Sequence, residues 1–132
     1  MAVSFDTSEH MKGMGVDSTR ISRFRKMRDS IRDRLARKIL EESELAVYMA
    51  AKDPAMRLAC FFSEKECISK TLGTGFTGIS FKDIIIRKNE LGRPCVWLDG
   101  RAKQKAEELG ISVIKISLTH EGDVIICVSC AF

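Results

Sequence analysis

Apolar residues recur at spacings of three and four through Ile21, Phe24 and Met27 and then Ile31, Leu35 and Ile39, the period of a helix that buries one face. The pattern predicts an amphipathic helix from Thr19 through Met27 and on to Ile39, with a break near Asp29 and Ser30. Ahead of it, KGMGVDS alternates Gly and apolar residues and predicts a short strand ending at Asp17. EESELAVYMAAKDP reads as a second helix, closed by Asp53 and Pro54 because proline cannot continue a helix. A third helix is expected from Ala55 to Thr71. After GTGFTG the period changes: ISFKDIIIRK, a turn at NELGRP, and CVWLDG predict a β-hairpin. RAKQKAEELG gives a short helix with Ala102, Ala106 and Leu109 on one face and Gly110 as its stop. ISVIKISLT, HEGD and VIICVSCAF predict a second hairpin with His120 at its tip. Helices come mostly first and antiparallel strands mostly second, so the expected class is α+β, with helices packed on antiparallel sheet.

The length of 132 residues suits one domain with one core. Residues 1–11 show no periodicity and are expected to be a disordered extension, which leaves 12–132 as the domain. No stretch approaches the roughly 18 uninterrupted apolar residues of a membrane span, and the first residues lack a signal-peptide layout, so a cytoplasmic location is expected. Five cysteines are an odd count without a secretion signal, which predicts reduced thiols. Cys127 and Cys130 have redox or metal spacing, but residues three apart on a strand point to opposite faces, so they read as buried small hydrophobes.

Charge changes the picture in one place. Arg20 to Lys38 holds nine Lys or Arg against two Asp, while the whole chain carries only +4. Arg23, Met27, Arg34 and Arg37 fall on one predicted stripe of this helix, basic with a methionine inside it. Such a stripe suits an acidic or polyanionic partner. Nucleic acid ranks last among such partners, since Phe24 is the one aromatic there and no base-reading module accompanies it.

On the third predicted helix, Ala59, Phe62, Glu66, Ser69 and Lys70 share a stripe, which puts Glu66 on a side that faces protein. A carboxylate there needs a partner or a metal. The plain alternative is a solvated Glu66–Lys70 pair one turn apart. GTGFTG spells the dinucleotide fingerprint, yet a helix precedes it and a strand follows, the reverse of what that fold requires. Asp17 after a strand is an ordinary helix cap, and a lone hairpin His120 is an ordinary surface residue.

Six ordered motifs carry more weight than any of these. GVDSTRI, KILEESELAVY, LACFFSEKECISKTLGTG, ISFKDIII, NELGRP and ISLTHEGD, spanning roughly residues 13 to 132, resemble the holo-acyl-carrier-protein synthase family of 4′-phosphopantetheinyl transferases. The resemblance implies transfer of 4′-phosphopantetheine from coenzyme A to a serine of an apo acyl carrier protein, with release of adenosine 3′,5′-bisphosphate. It implies Mg²⁺, a homotrimer, and active sites at subunit interfaces. By motif, Asp17 and Glu66 are the implied metal ligands, and Asp17, Glu66 and Lys70 the implied catalytic set. Glu66 is also the expected acceptor of the serine proton, and Lys70 the cation that neutralises the phosphoryl group. Lys65, Ser69, Gly73, Thr74, Gly75, Thr119 and His120 match positions that line the coenzyme A pocket. Arg23, Met27, Arg34 and Arg37 match the surface that binds the acidic carrier protein.

The chain departs from the family where Cys60-Phe61 replaces Gly-Arg, where Ser63-Glu64 replaces two small residues, and where Ser18-Thr19-Arg20 follows Asp17. The alternative they raise is a catalytically weakened relative that binds carrier protein or coenzyme A without transfer; retention of Asp17, Glu66 and Lys70 argues against it.

Overall fold

The structure, a computed structural model, describes residues 11–132. The extension expected over 1–11 lies outside the described residues but for Met11. Strand β1 (Gly13–Arg20) leads into a one-turn helix α1 (Ser22–Arg25), then α2 (Asp29–Ile39), α3 (Glu42–Ala50) and the long α4 (Pro54–Thr71). A 3₁₀ turn at Phe81–Asp83 precedes the hairpin β2 (Ile84–Lys88) and β3 (Pro94–Leu98). Helix α5 (Gly100–Glu108) and the hairpin β4 (Ile114–Glu121) and β5 (Val124–Ala131) complete the chain. The strands form an antiparallel three-stranded sheet in the order β1-β5-β4 and a separate antiparallel pair β2-β3, so the α+β expectation holds.

Helix α4 is the axis of the fold. Asp53 caps it by accepting a hydrogen bond from Met56 N, and Pro54 occupies the first turn, where its missing N–H costs nothing. Leu58, Ala59, Phe61, Ile68 and Leu72 on this helix and its cap are buried in the main core. Each large apolar side chain so buried contributes on the order of 2 kcal/mol. Against it lie β1 and β5. The close approach of β1 depends on Gly13 and Gly15: a Cβ at either would run into the carbonyl oxygens of Thr71 and Cys67 on α4. Ile125, Cys127, Ser129 and Ala131 are buried while Ile126 and Val128 are exposed, the alternation a sheet with one covered face requires. Cys127 is fully buried and Cys130 lies toward the opposite face, so the two thiols diverge as their strand spacing predicts.

Several boundaries differ from the pattern. β1 continues to Arg20 because Ser18, Thr19 and Arg20 pair with Ile126, Ile125 and Val124. The first helix therefore starts at Ser22, whose N–H and hydroxyl both donate to the Asp123 carboxylate, at 2.7 and 2.6 Å. The predicted long helix is two helices, interrupted at Arg28, which is extended. Arg23, Met27, Arg34 and Arg37 thus do not share one helical stripe. Arg23 is on α1, Met27 in the link, and Arg34 and Arg37 on α2. The first half of ISFKDIIIRK is not strand, because Ser80 and Asp83 form a reciprocal cap around the 3₁₀ turn. His120 lies inside β4, paired with Ile125, and the turn falls at Gly122 and Asp123.

Candidate active site

β1 and α4 bring Asp17, Glu66 and Lys70 together. Asp17 lies on the face of β1 turned toward α4, in register with buried Cys127. Its Oδ1 accepts a hydrogen bond from Lys70 Nζ at 3.1 Å, and its Oδ2 accepts from Thr19 Oγ1 at 2.8 Å and Ser63 Oγ at 3.0 Å. These charge-assisted bonds fix the carboxylate in one orientation. Lys70 also donates to Val16 O at 3.2 Å. Its ion-pair partner is therefore Asp17 on the strand rather than Glu66 one turn back on its own helix.

Glu66 is half-buried, and its carboxyl is pushed above the ordinary glutamate range, first by burial and then by the negative charge of Asp17. Lys70 and Arg23 pull it back down. Two carboxylates and one ammonium thus share a partly exposed patch, with the Asp17 side chain 11% and the Lys70 side chain 49% exposed. The mutual repulsion is what a divalent cation relieves, and two carboxylates are the usual protein share of a Mg²⁺ site whose other oxygens come from water and phosphate. Among the described residues no group of three or more His, Cys, Asp or Glu could hold a metal without such outside ligands.

Arg23 is nearer the site than its carrier-facing expectation implies. Its guanidinium lies over the Phe62 ring at 4.8 Å and the Phe24 ring at 5.6 Å. Phe62 in turn stacks with Phe81, and Phe81 with Phe76 of the glycine loop. An aromatic wall therefore runs from the basic helix past Glu66 to Gly73–Gly78. In that loop Gly73 and Gly75 have φ of 77° and 55°, and no atom lies within 4 Å of where a Cβ would stand, so the backbone is open to close approach. Thr74 Oγ1 donates to Gly75 O at 2.8 Å, and Gly75 N–H donates to Ser69 O at 3.2 Å.

Of the residues expected in the coenzyme A pocket, Lys65 is placed elsewhere and Ser69 turns its hydroxyl inward beside Glu66. Lys65 has no exposed surface; its ammonium bonds Glu44 Oε1 at 2.8 Å, Phe81 O at 2.8 Å and Ile84 O, which uses all three protons. Glu44 completes the hub by accepting from Ile86 N–H at 2.8 Å. Lys65 is a fastener between α3, α4 and β2, and its expected cofactor contact is corrected accordingly. Ser69 is likewise fully buried, and its hydroxyl donates to Glu66 O at 2.7 Å. Thr119 and His120 are exposed on β4, which β5 separates from β1, and as neighbours on a strand they point to opposite faces. Neither joins the Asp17 cluster within one chain. Thr19 and Ser63, the two hydroxyls on Asp17, are site residues that pattern reading missed. Thr19 sits two residues from Asp17 on the same strand face, and Ser63 one turn before Glu66, spacings that carry the signal in hindsight.

Residues 13–128 match the 4′-phosphopantetheinyl transferase superfamily. The holo-[acyl-carrier-protein] synthase of Caldanaerobacter subterraneus subsp. tengcongensis is 41% identical over 118 residues, which cover 89% of this chain and 92% of the relative. The crystal structure of holo-[acyl-carrier-protein] synthase from Neisseria meningitidis superposes with a TM-score of 0.83 at 32% identity, covering 93% of this chain and 99% of that one. That of the Helicobacter pylori holo-[acyl-carrier-protein] synthase in complex with coenzyme A gives 0.77 at 28% identity over 90% and 99% of the two chains. The chain belongs to the 4′-phosphopantetheinyl transferase superfamily. Within it, the relatives it resembles over most of their length are holo-[acyl-carrier-protein] synthases.

Proposed function

We propose that this chain is a holo-[acyl-carrier-protein] synthase. It transfers 4′-phosphopantetheine from coenzyme A to a serine hydroxyl of an apo acyl carrier protein and releases adenosine 3′,5′-bisphosphate. The observation that carries the reading is the convergence of Asp17, Glu66 and Lys70 across β1 and α4, with Lys70 Nζ 3.1 Å from Asp17 Oδ1.

Glu66, with its proton affinity raised, is suited to take the proton from the serine oxygen as that oxygen attacks the pantetheine-bearing phosphorus. The bond from that phosphorus to the bisphosphate oxygen breaks, and the bisphosphate leaves with the electron pair. Lys70 is exposed enough to release Asp17 and place its charge beside the non-bridging oxygens. Asp17 and Glu66 are the residues that would hold Mg²⁺, which when bound supplies charge neutralisation for the pyrophosphate. The glycine loop at Gly73, Thr74 and Gly75 offers backbone to the phosphates. Exposed Arg34 and Arg37 on α2, with Arg23 near Glu66 and Met27 in the link between the helices, form the surface offered to an acidic carrier protein.

A homotrimer with sites between subunits is part of the proposal. Met14 and Val16 on β1 and Ile126 and Val128 on β5 are 41–60% exposed on the outer face of the three-stranded sheet, an apolar surface suited to a second copy. Thr119 and His120 would then serve a neighbour's Asp17 cluster. Five free thiols suit a cytoplasmic setting.

Incubation with coenzyme A, Mg²⁺ and an apo carrier protein, followed by intact mass, tests the reaction. A gain of one phosphopantetheine on the carrier is expected; an unmodified carrier that a known transferase does convert overturns the reading.

A further inference from the structure

The helix that carries Arg34 and Arg37 is held by apolar and polar contacts together. Arg32, Ala36 and Ile39 are buried and Leu35 is partly buried against the core, so the inward stripe consists of one cation, one methyl group and two aliphatic side chains. Apolar contacts of this kind are non-directional and set the rotation of a helix about its axis less sharply than hydrogen bonds do. The directional contact on α2 is a polar anchor. Tyr48 on α3 is 1% exposed, and its hydroxyl donates to Asp33 Oδ1 at 2.6 Å while accepting from Arg32 Nε at 3.2 Å. Arg32 reaches on to Asp29 Oδ1 at 3.0 Å, one turn earlier. A single phenol thereby grips two consecutive residues of α2, one through its proton and one through its lone pair.

Two bonds to adjacent residues fix rotation, because consecutive side chains leave a helix about 100° apart. A turn of about 20° would swing a head group at about 6 Å from the axis by about 2 Å, enough to break a charge-assisted hydrogen bond. Arg34 follows Asp33 directly and Arg37 lies one turn on, both exposed. We propose that Tyr48 is a positioning residue for carrier-protein docking: by holding Arg32 and Asp33 it sets the rotation of α2 and hence the aim of Arg34 and Arg37. This rests on the reading of α2 as the carrier-binding surface.

Steady-state kinetics on the full chain test it. Tyr48→Phe keeps the ring in its socket and removes both bonds. The KM for the carrier protein should rise about fivefold, the scale of one lost hydrogen bond, while kcat and the KM for coenzyme A stay within about twofold. Asp33→Ala supplies a second variant with a sharper sign. Deleting an anion beside the arginines should tighten an acidic partner if charge alone matters, whereas loss of the anchor should weaken it. A rise in carrier KM for both variants is the expected result. An unchanged carrier KM in Tyr48→Phe, or an equal loss in kcat and in coenzyme A KM, overturns the proposal when Arg34→Glu does raise the carrier KM. If Arg34→Glu leaves it unchanged too, the docking surface itself is wrong and the proposal falls with it.

Discussion

Helix α4 carries a glutamate and a lysine on each of two sides, and the two sides have opposite fates. On one, Glu64 is largely buried and Lys65 fully so, Lys65 locked to Glu44 and two carbonyls. On the other, Glu66 is half-buried and Lys70 half-exposed, with Asp17 across from them on β1. The buried ammonium has spent every proton, so it can hold the fold but do nothing else. In the open cluster Lys70 donates to Asp17 and Val16 O and keeps one of its three protons, and like charges lie in proximity, which is the condition for binding a cation or accepting a proton. Residue type does not separate structure from chemistry here; unspent hydrogen-bonding capacity does.

The contrast can be broken from either side, and the largest effect is expected on the open one. Glu66→Gln should lower turnover about 10²–10⁴-fold, the range for a lost general base, with the fold intact by circular dichroism. Full turnover at saturating Mg²⁺ would remove Glu66 from the chemistry. On the closed side, Glu44→Ala leaves the Lys65 charge buried without its counter-ion and should cost about 3–5 kcal/mol in urea denaturation. A loss below about 1 kcal/mol would mean that the hub is hydrated.

Glu64 gives a smaller, pH-dependent effect. Burial pushes its carboxyl up to about 7 from the ordinary 4.5, against the pull of Arg57. Between those values the folded chain holds a proton that the unfolded chain releases, so stability falls as pH rises through this window. Glu64→Gln should therefore be more stable than the parent by about 2–3 kcal/mol at pH 8 and no different at pH 4. A difference that does not vary with pH would contradict the assignment. The smallest effect is expected at the rim: Arg34→Glu should raise the carrier KM about three- to tenfold, and less at high salt, with the coenzyme A KM unchanged. Arg23→Glu is a less clean probe, because its guanidinium lies on Phe62 and bears on Glu66 as well.

Helix α4 was legible because its signals are local: Asp53 and Pro54 mark its start and a glycine follows its end. The end of β1 was not. Ser18, Thr19 and Arg20 carry no strand signal of their own and are extended because β5, about a hundred residues later, pairs with them. The same non-locality hid the site. Nothing in the spacing of Asp17 and Glu66 says that they meet, and on pattern alone Glu66 and Lys70 read more readily as a surface pair. Ordered motifs along the whole chain pointed to the cluster, and β1 lying on α4 supplies the geometry. Lys65 was misassigned for a related reason, since its place in a family motif cannot show which way its side chain turns.

Gly13 and Gly15 give β1 its seat on α4, and that makes them the gauge of the site. The gap between strand and helix is set by two absent methyl groups, with Thr71 Oγ1 2.6 Å from where the Gly15 Cβ would stand. Alanine at either position would act as a shim, lifting the strand and carrying the Asp17 carboxylate away from Lys70 and Glu66 with no change in any charged residue. The spacing of the chemistry is held by a clearance two residues upstream of it.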